Sequence, residues 1–390
     1  MIEIESKDLA PIVIKAYKFF NSQTEENILI KGIDYYPRPN TGRLDDNNLD
    51  FFTEKHRHVW ERDIPQFQAL GVNAIRLYSV DPDQDHSAFM CALNAAGIYV
   101  LVELASGKQP NCAILSDEAP ACYPNRLKTR GEKIMREFQK YSNTLAFSAG
   151  NEVNHFVPLG KPPEWNAPCL KKFVRDMRAY SQRCEHMRHV PVGLIMADSD
   201  RDENTLYYNC QEGDDDELDH AEWYGINTYV YCNGNDTSLE EAKGFKKLSE
   251  SFESYNYSIP VLLTEFGCLS KTFPTVDEYQ NQRSFNQAKW LGLPQVENDF
   301  AGGFAFEYSL ESASARTKFP FKEAGPASYG EFIFDNQVLR FHDSDLSLTH
   351  ACIHIVITYS FKQELAICPP KNAMMLEFLV NTIEPRAFTT

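Results

Sequence analysis

The chain has 390 residues, of which 43% are hydrophobic, and its formal net charge at pH 7 is -17. This length is enough for one large α/β domain with a tail or for two smaller domains. The negative charge argues against a nucleic-acid partner, because phosphate contacts need clustered Lys and Arg, and no run of about 18 apolar residues predicts a transmembrane helix.

Short apolar segments alternate with amphipathic helical patterns along the chain. The predicted strands are 28–35, 74–80, 99–104, 145–153, 190–197, 223–230, 260–268 and 302–309. The predicted helices include 60–70, 86–96, 125–141, 170–187 and 275–290. Apolar strands alternating with helices predict a parallel sheet covered by helices, and eight such units in roughly 280 residues predict a closed (β/α)8 TIM barrel. An open doubly wound sheet is the lesser alternative, and no GxGxxG motif follows the first strand.

Two glutamates follow the fourth and seventh predicted strands. Glu152 lies in "AGNEV" (149–153) and Glu265 in "LLTEFGC" (262–268). Catalytic groups of a (β/α)8 barrel stand at the carboxyl ends of its strands, so we expect the two carboxylates to converge. A pair about 5–5.5 Å apart serves a retaining glycosidase as nucleophile and acid/base. Either glutamate alone is more simply explained as a cap or an ion-pair partner, and only the pair favours catalysis.

The charge of one glutamate is expected to control the protonation of the other. An ionised Glu265 raises the pKa of Glu152 by repulsion, so Glu152 stays protonated and can protonate the leaving oxygen. Once Glu265 is esterified to the sugar, its charge is gone. Glu152 then becomes more acidic and can act as a base for the incoming hydroxyl.

Three tyrosines end predicted strands at the same face: Tyr78, Tyr229 and Tyr308. A tyrosine offers a flat apolar face for a pyranose ring and a hydroxyl that can orient a carboxylate or a sugar oxygen. Packing inside the barrel is the alternative for each of them. No CxxC or HExxH spacing predicts a metal site, and we expect no cofactor.

Sequence blocks over residues 12–330 occur in the order typical of one enzyme family. They are "IKAYKFFNS" (14–22), "IKGIDYYP" (30–37), "LGVNAIRLYSVDPDQDH" (70–86), "LNAAGIYVLVEL" (93–104), "AGNEV" (149–153), "YYNCQEGDDD" (207–216), "YGINTY" (224–229), "IPVLLTEFGC" (259–268) and "GGFAFEYS" (302–309). Through them the chain resembles the fungal-type β-1,3-glucanosyltransferases of glycoside hydrolase family 72. The resemblance implies that Glu152 is the acid/base, that Glu265 is the nucleophile, and that Asn151 bonds the sugar 2-hydroxyl.

The chain also departs from this family at several positions. Glu103 ends the third strand where the family often has aspartate, and Tyr36 stands where glutamine is common. We expect both to contact substrate in an altered way.

Cysteine positions both match the family and depart from it. Cys232 and Cys268 stand at the positions of a family disulfide that flanks strands six and seven, so we expect them to be bonded. At another family cysteine pair this chain has Trp60 and Phe89, which predicts aromatic packing in place of that disulfide.

The resemblance predicts one catalytic barrel over residues 1–330, followed by an unplaced tail over 331–390. Neither a signal peptide nor a lipid-anchor sequence is visible, and together with the unplaced tail this suggests misplaced gene boundaries. The family nevertheless implies a secreted, cell-surface or cell-wall protein.

The carboxylate pair predicts a retaining glycosidase-type enzyme, and the family resemblance implies that it cleaves an internal β-1,3-glucan linkage and transfers the new end to another β-1,3-glucan chain, as in cell-wall elongation or remodelling. A β-glucanase or mannanase-type hydrolase of the same clan is one alternative. A catalytically silent glucan-binding wall protein is another, although the presence of both carboxylates argues against it. The sequence does not indicate the oligomeric state.

Overall fold

A computed structural model describes most of the first three hundred residues. The described ranges are 9–37, 49–107, 109–209, 218–229, 238–269, 283–308, 332–334 and 337–339. An antiparallel hairpin, β1 (Ile12–Lys15) and β2 (Lys18–Asn21), comes first.

Eight parallel strands follow and close into a barrel. They are β3 (Ile30–Tyr35), β4 (Ala74–Leu77), β5 (Tyr99–Glu103), β6 (Thr144–Asn151), β7 (Val192–Ala197), β8 (Tyr224–Thr228), β9 (Val261–Phe266) and β12 (Gly302–Ala305). Each pairs with the next in the chain, and β12 pairs with β3 to close the ring. Every strand overlaps one predicted segment, so the predicted (β/α)8 barrel is confirmed.

Helices cover the outside of the barrel. They are α1 (Arg57–Ala69), α2 (Ser87–Ala96), α3 (Asn125–Phe138), α4 (Ala167–Arg183), α5 (Arg201–Asn209), α6 (Lys243–Tyr255) and α7 (Gln287–Leu291). Three short 3-10 helices, Glu54–His56, Val153–Phe156 and Pro163–Trp165, lie in loops. In α3, Leu127, Ile134 and Phe138 are fully buried, because a period of 3.6 residues places them on one face. None of the described helices is long and apolar enough to cross a membrane.

Two short strand pairs lie outside the barrel. They are β10 (Cys268–Leu269) with β11 (Arg283–Ser284), and β13 (Phe332–Phe334) with β14 (Gln337–Leu339). The predicted helix 275–290 is therefore wrong at Arg283–Ser284, and its residues 275–282 lie outside the described residues. The division into a barrel over 1–330 and a tail over 331–390 stays a prediction.

The two ends of the barrel differ in chemistry. Ile12 and Phe19 of the hairpin pack in one buried cluster with Ile30, Ala74 and Tyr99, which lie at the starts of β3, β4 and β5. The hairpin thus closes the amino-terminal end with apolar side chains. We call the opposite end, where the strands finish, the barrel mouth.

The predicted packing of Trp60 against Phe89 is confirmed. Trp60 of α1 and Phe89 of α2 are both buried, and their ring centroids lie 5.6 Å apart in an edge-to-face arrangement. Such a contact joins the two helices where a covalent bond is absent.

A disulfide that the sequence did not predict joins Cys122, which precedes α3, to Cys169 in α4. Both cysteines are buried. Cys268 is also disulfide-bonded, but Cys232 lies outside the described residues. The predicted Cys232–Cys268 pairing therefore stays a prediction.

Candidate active site

Glu265 lies at the mouth near the end of β9, where its carboxylate accepts three hydrogen bonds. Oε1 accepts from Nη1 of Arg76 and from the hydroxyl of Tyr78, both at 2.9 Å. Oε2 accepts from the hydroxyl of Tyr229 at 2.5 Å. Arg76 lies in β4, Tyr78 follows β4 and Tyr229 follows β8, so the barrel itself fixes the orientation of this carboxylate.

Arg76 in β4 connects Glu265 to the opposite side of the mouth. Its Nη2 donates to Oδ1 of Asn151 at 2.7 Å, and its Nη1 also donates to the backbone oxygen of Thr264 at 3.1 Å. The residue is only 1% exposed, and its planar guanidinium can donate in several fixed directions at once. One buried cation thus positions a carboxylate and an amide.

Asp34 in β3 is a buried acid beneath this cation. Its Oδ1 lies 3.6 Å from Nη1 of Arg76. Burial raises the pKa of Asp34 well above its ordinary value, and the charge of Arg76 only partly offsets that effect. Burial lowers the pKa of Arg76, but the acidic groups of Tyr78, Asp34 and Glu265 outweigh it and raise that pKa.

Glu152 follows β6 in an unusual backbone conformation. Its φ of 51° and ψ of 37° lie in the left-handed region, which is uncommon for residues other than glycine and is found at functional sites. The backbone nitrogen of Glu152 donates to the carbonyl of Ile195 in β7 at 2.9 Å. Its side chain is therefore directed by a strained but hydrogen-bonded turn.

Asn227 in β8 completes a connection between the two glutamates. Its Nδ2 lies 2.9 Å from Oε1 of Glu152 and 3.0 Å from Oδ1 of Asn151. Thr264 donates to Oδ1 of Asn227 at 2.8 Å, which fixes the orientation of the amide. Through Asn151 and Arg76 the hydrogen bonds continue to Glu265.

The electrostatics of Glu152 agree in direction with the expectation from sequence. Burial raises the pKa of Glu152, and the neighbouring Glu265 raises it further. The hydrogen bond from Asn227 and the charge of Arg76 act in the opposite direction. The net effect is a carboxyl group that keeps its proton to a higher pH than an ordinary glutamate.

Glu103, at the end of β5, is a further carboxyl group within electrostatic range of Arg76. Burial raises the pKa of Glu103 to about 7, and the charges of Arg76 and Arg130 lower it in part. Glu265 raises it slightly as well. Glu103 is therefore within electrostatic range of Arg76 and Glu265, and its contact with substrate stays a prediction.

Two of the tyrosines predicted to contact substrate are buried. Tyr308 is fully buried, and its ring packs edge-to-face on Tyr35 and Phe67 with centroid distances of 5.3 and 4.9 Å. Tyr36 is 4% exposed, and its hydroxyl donates to the backbone oxygen of Leu49 at 3.2 Å. Both rings pack against neighbouring side chains, and a contact of either tyrosine with a sugar stays a prediction.

The sequence analysis missed Arg76, Asn227 and Asp34 as site residues. Each lies in a buried strand, within "AIRL", "GINT" or "KGIDY". A charged or amide side chain inside an apolar strand needs a partner when it is buried. That signal was available in the sequence, although the partners themselves were not.

Two glutamates at the mouth of a (β/α)8 barrel are connected here by a hydrogen-bond network, and paired carboxyl groups of this kind are the catalytic groups of glycoside hydrolases. A sequence model of the glucanosyltransferases of glycoside hydrolase family 72 matches residues 2–315. The chain belongs to this family, and the predicted family is confirmed.

Curated relatives and solved structures agree with this assignment. The chain is 32% identical over 320 residues to the probable 1,3-beta-glucanosyltransferase GAS3 of Saccharomyces cerevisiae, covering 78% of this chain and 57% of that protein. It is 32% identical over 308 residues to the 1,3-beta-glucanosyltransferase PGA4 of Candida albicans, covering 78% and 61%. The chain thus spans about three fifths of the length of these relatives.

A solved structure of Saccharomyces cerevisiae Gas2p in complex with laminaritriose and laminaritetraose also matches. Its TM-score is 0.61 at 28% identity, and the match covers 77% of this chain and 61% of that one.

Proposed function

We propose that this chain carries a retaining β-1,3-glucanosyltransferase activity, which cleaves an internal β-1,3-glucan linkage and transfers the new end to another β-1,3-glucan chain. The observation that carries the proposal is the pair Glu152 and Glu265, joined at the barrel mouth through Asn227, Asn151 and Arg76. The names of the relatives and the laminari-oligosaccharides in the Gas2p complex support the choice of polymer.

In the first half-reaction Glu152 is the acid and Glu265 the nucleophile. An oxygen of Glu265 attacks the anomeric carbon while the bond from that carbon to the glycosidic oxygen breaks. Glu152 gives its proton to the departing oxygen, so the leaving chain is released as an alcohol. Arg76, Tyr78 and Tyr229 orient the attacking carboxylate, and we assign Asn151 to the 2-hydroxyl of the bound sugar.

In the second half-reaction the roles reverse. Esterification removes the negative charge of Glu265, and the pKa of Glu152 falls because the repulsion that raised it is gone. Glu152 accepts the proton of the acceptor hydroxyl, whose oxygen attacks the anomeric carbon and displaces Glu265. The cycle ends with Glu152 protonated and Glu265 ionised, as it began.

Transfer competes with hydrolysis of the same glycosyl ester. An acceptor held in an attacking geometry can reach an effective molarity of about 10⁵ M or more, which exceeds the concentration of bulk water. A bound acceptor therefore decides the outcome in favour of transfer.

The cellular setting belongs to the same proposal. A secreted, cell-surface or cell-wall protein meets β-1,3-glucan as donor and acceptor. The buried disulfide Cys122–Cys169 supports synthesis in an oxidising compartment. We include the Cys232–Cys268 bond, and a substrate contact by Glu103, in this proposal.

The test is to incubate the protein with a reduced laminari-oligosaccharide and to measure product sizes by mass spectrometry. Transfer predicts products both shorter and longer than the donor, and none with the variant Glu265→Gln. Shorter products alone would identify a hydrolase instead. If the unmodified protein released no product, the chain would be a silent glucan-binding protein.

A further inference from the structure

The segment 153–160, which we call the rim segment, follows Glu152 directly and exposes apolar side chains. Phe156 is 59% exposed and Leu159 is fully exposed. Among the described residues the exposed large hydrophobic side chains are Tyr17, Leu49, Phe156, Leu159 and Leu206. Two of these five lie within four positions of each other beside the acid/base.

Folding does not explain an aromatic ring at this position. Burial of a phenylalanine stabilises a fold by roughly 1.5–3 kcal/mol, and a ring left mostly in water contributes only part of that. Two of the tyrosines that the sequence predicts to contact sugar also have other contacts. Tyr308 is in the core, and the hydroxyl of Tyr229 is bonded to Glu265.

The rim segment is anchored next to the acid/base. The backbone nitrogen of His155 donates to the carbonyl of Glu152 at 2.8 Å. The side chain of Asn154 bonds both the nitrogen and the oxygen of Ala197, each at 2.9 Å. The first turn of the segment is therefore fixed to β7.

Phe156 lies within one 3-10 turn of this anchor. The rings of His155 and Phe156 meet edge-to-face with a centroid distance of 6.1 Å. The charge of His155 acts on the Glu152 carboxyl, whose pKa it lowers. An exposed aromatic ring thus contacts a residue within electrostatic range of the acid/base.

We propose that Phe156 is a sugar-binding platform on the acceptor side of the cleft, where its exposed ring stacks on a glucose residue of a β-1,3-glucan chain. This inference rests on the proposed function. Glu152 protonates the oxygen of the leaving chain and then accepts the proton of the acceptor hydroxyl. Both chains therefore occupy the side of the cleaved bond on which Glu152 lies. A pyranose ring presents an apolar C–H face that can stack on an aromatic ring. Because neither the sugar nor the phenylalanine ring is charged, the net charge of -17 does not oppose this contact.

Binding tests the platform without turnover. In a Glu265→Gln background, Phe156→Ala is expected to weaken the affinity for a laminari-oligosaccharide long enough to span both sides of the cleft by about three- to tenfold. Phe156→Trp is expected to retain the affinity. Tyr17→Ala removes an exposed aromatic ring from the hairpin at the opposite end, and it is expected to leave affinity unchanged.

Kinetics supply the second measurement. In the otherwise unmodified enzyme, Phe156→Ala should lower the transfer-to-hydrolysis ratio about three- to tenfold, because water needs no platform. Donor consumption should fall less, since the sugars on the other side of the cleavage point still bind.

If Phe156→Ala left both the affinity for the laminari-oligosaccharide and the unfolding midpoint unchanged, the proposed role of Phe156 as a platform would be wrong. A wild-type enzyme that gives only shorter products would instead overturn the transferase proposal, while a weakened affinity in Phe156→Ala would still support the platform.

Discussion

The two sides of the barrel mouth hold their glutamates in different ways. Glu265 is 7% exposed and accepts hydrogen bonds from Arg76, Tyr78 and Tyr229. Glu152 is more exposed, accepts a hydrogen bond from Asn227, and stands on a left-handed turn. One carboxylate is held by several donors from the strand ends, and the other lies at the start of a loop.

This difference matches what each group must do in a retaining mechanism. A nucleophile attacks one carbon from one direction, so fixed donors help it. An acid/base changes its charge twice in each cycle, and a dense shell of donors would keep it ionised throughout. Burial and the neighbouring Glu265 instead raise the pKa of Glu152.

The largest expected effect comes from removing the nucleophile. Glu265→Gln keeps the shape of the side chain but cannot form a stable ester with the sugar. We expect turnover of a laminari-oligosaccharide to fall by about 10³-fold or more. Glu203→Gln, an exposed position on α5, is the matched control and should retain full activity. If Glu265→Gln retained more than about a tenth of the activity, the nucleophile would have to be another residue.

Arg76→Lys should have the next largest effect. An ammonium group cannot donate to Glu265 and Asn151 in the fixed directions that a guanidinium provides. We expect kcat to fall about 10²-fold, which is the scale for losing one positioned donor. Arg183→Lys, on the exposed end of α4, makes the same change away from the site. Equal kcat values in the two variants would show that the hydrogen bonds of Arg76 to Glu265 and Asn151 have no catalytic role.

The barrel and the strands that carry the two glutamates were predictable because their signals are local. Apolar runs in "AIRLYSV" and "VLLTEF" end at the residues that the closed sheet brings to one face. The family blocks singled out Glu152 and Glu265, whose catalytic roles stay a prediction. A buried network was harder to predict, since Arg76 reaches partners 75 and 189 positions away.

Tyr308 and Tyr36 show what a position at a strand end leaves undetermined. Both stand where a barrel strand finishes, yet their rings are buried. Whether the side chain of such a residue faces the cleft or the core depends on tertiary neighbours such as Phe67 and Phe51. The disulfide Cys122–Cys169 was missed for a similar reason, because cysteine spacing does not reveal pairing.

Tyr229→Phe separates the hydroxyl of the tyrosine from its ring. The hydrogen bond to Oε2 of Glu265 is lost while the packing stays, so we expect kcat to fall about tenfold, the cost of one hydrogen bond to a charged group. Tyr308→Phe removes the corresponding hydroxyl from a core residue, and its main effect should be on the unfolding midpoint. A larger loss of kcat in Tyr308→Phe than in Tyr229→Phe would reverse our placement of the two tyrosines.

The smallest effect concerns stability rather than turnover and depends on pH. Burial raises the pKa of Glu103 from 4.5 to about 7, so between these values the folded state binds more protons than the unfolded state. The free energy of unfolding therefore decreases as the pH rises from 4.5 toward 7, by about 3 kcal/mol. Glu103→Gln removes the charge and should raise the unfolding midpoint at pH 8 while changing it little at pH 4. Thermal unfolding of both proteins at the two pH values gives the comparison, with Glu203→Gln as a surface control. An equal rise of the unfolding midpoint at both pH values would mean that the glutamine improves packing and that ionisation of Glu103 does not destabilise the fold.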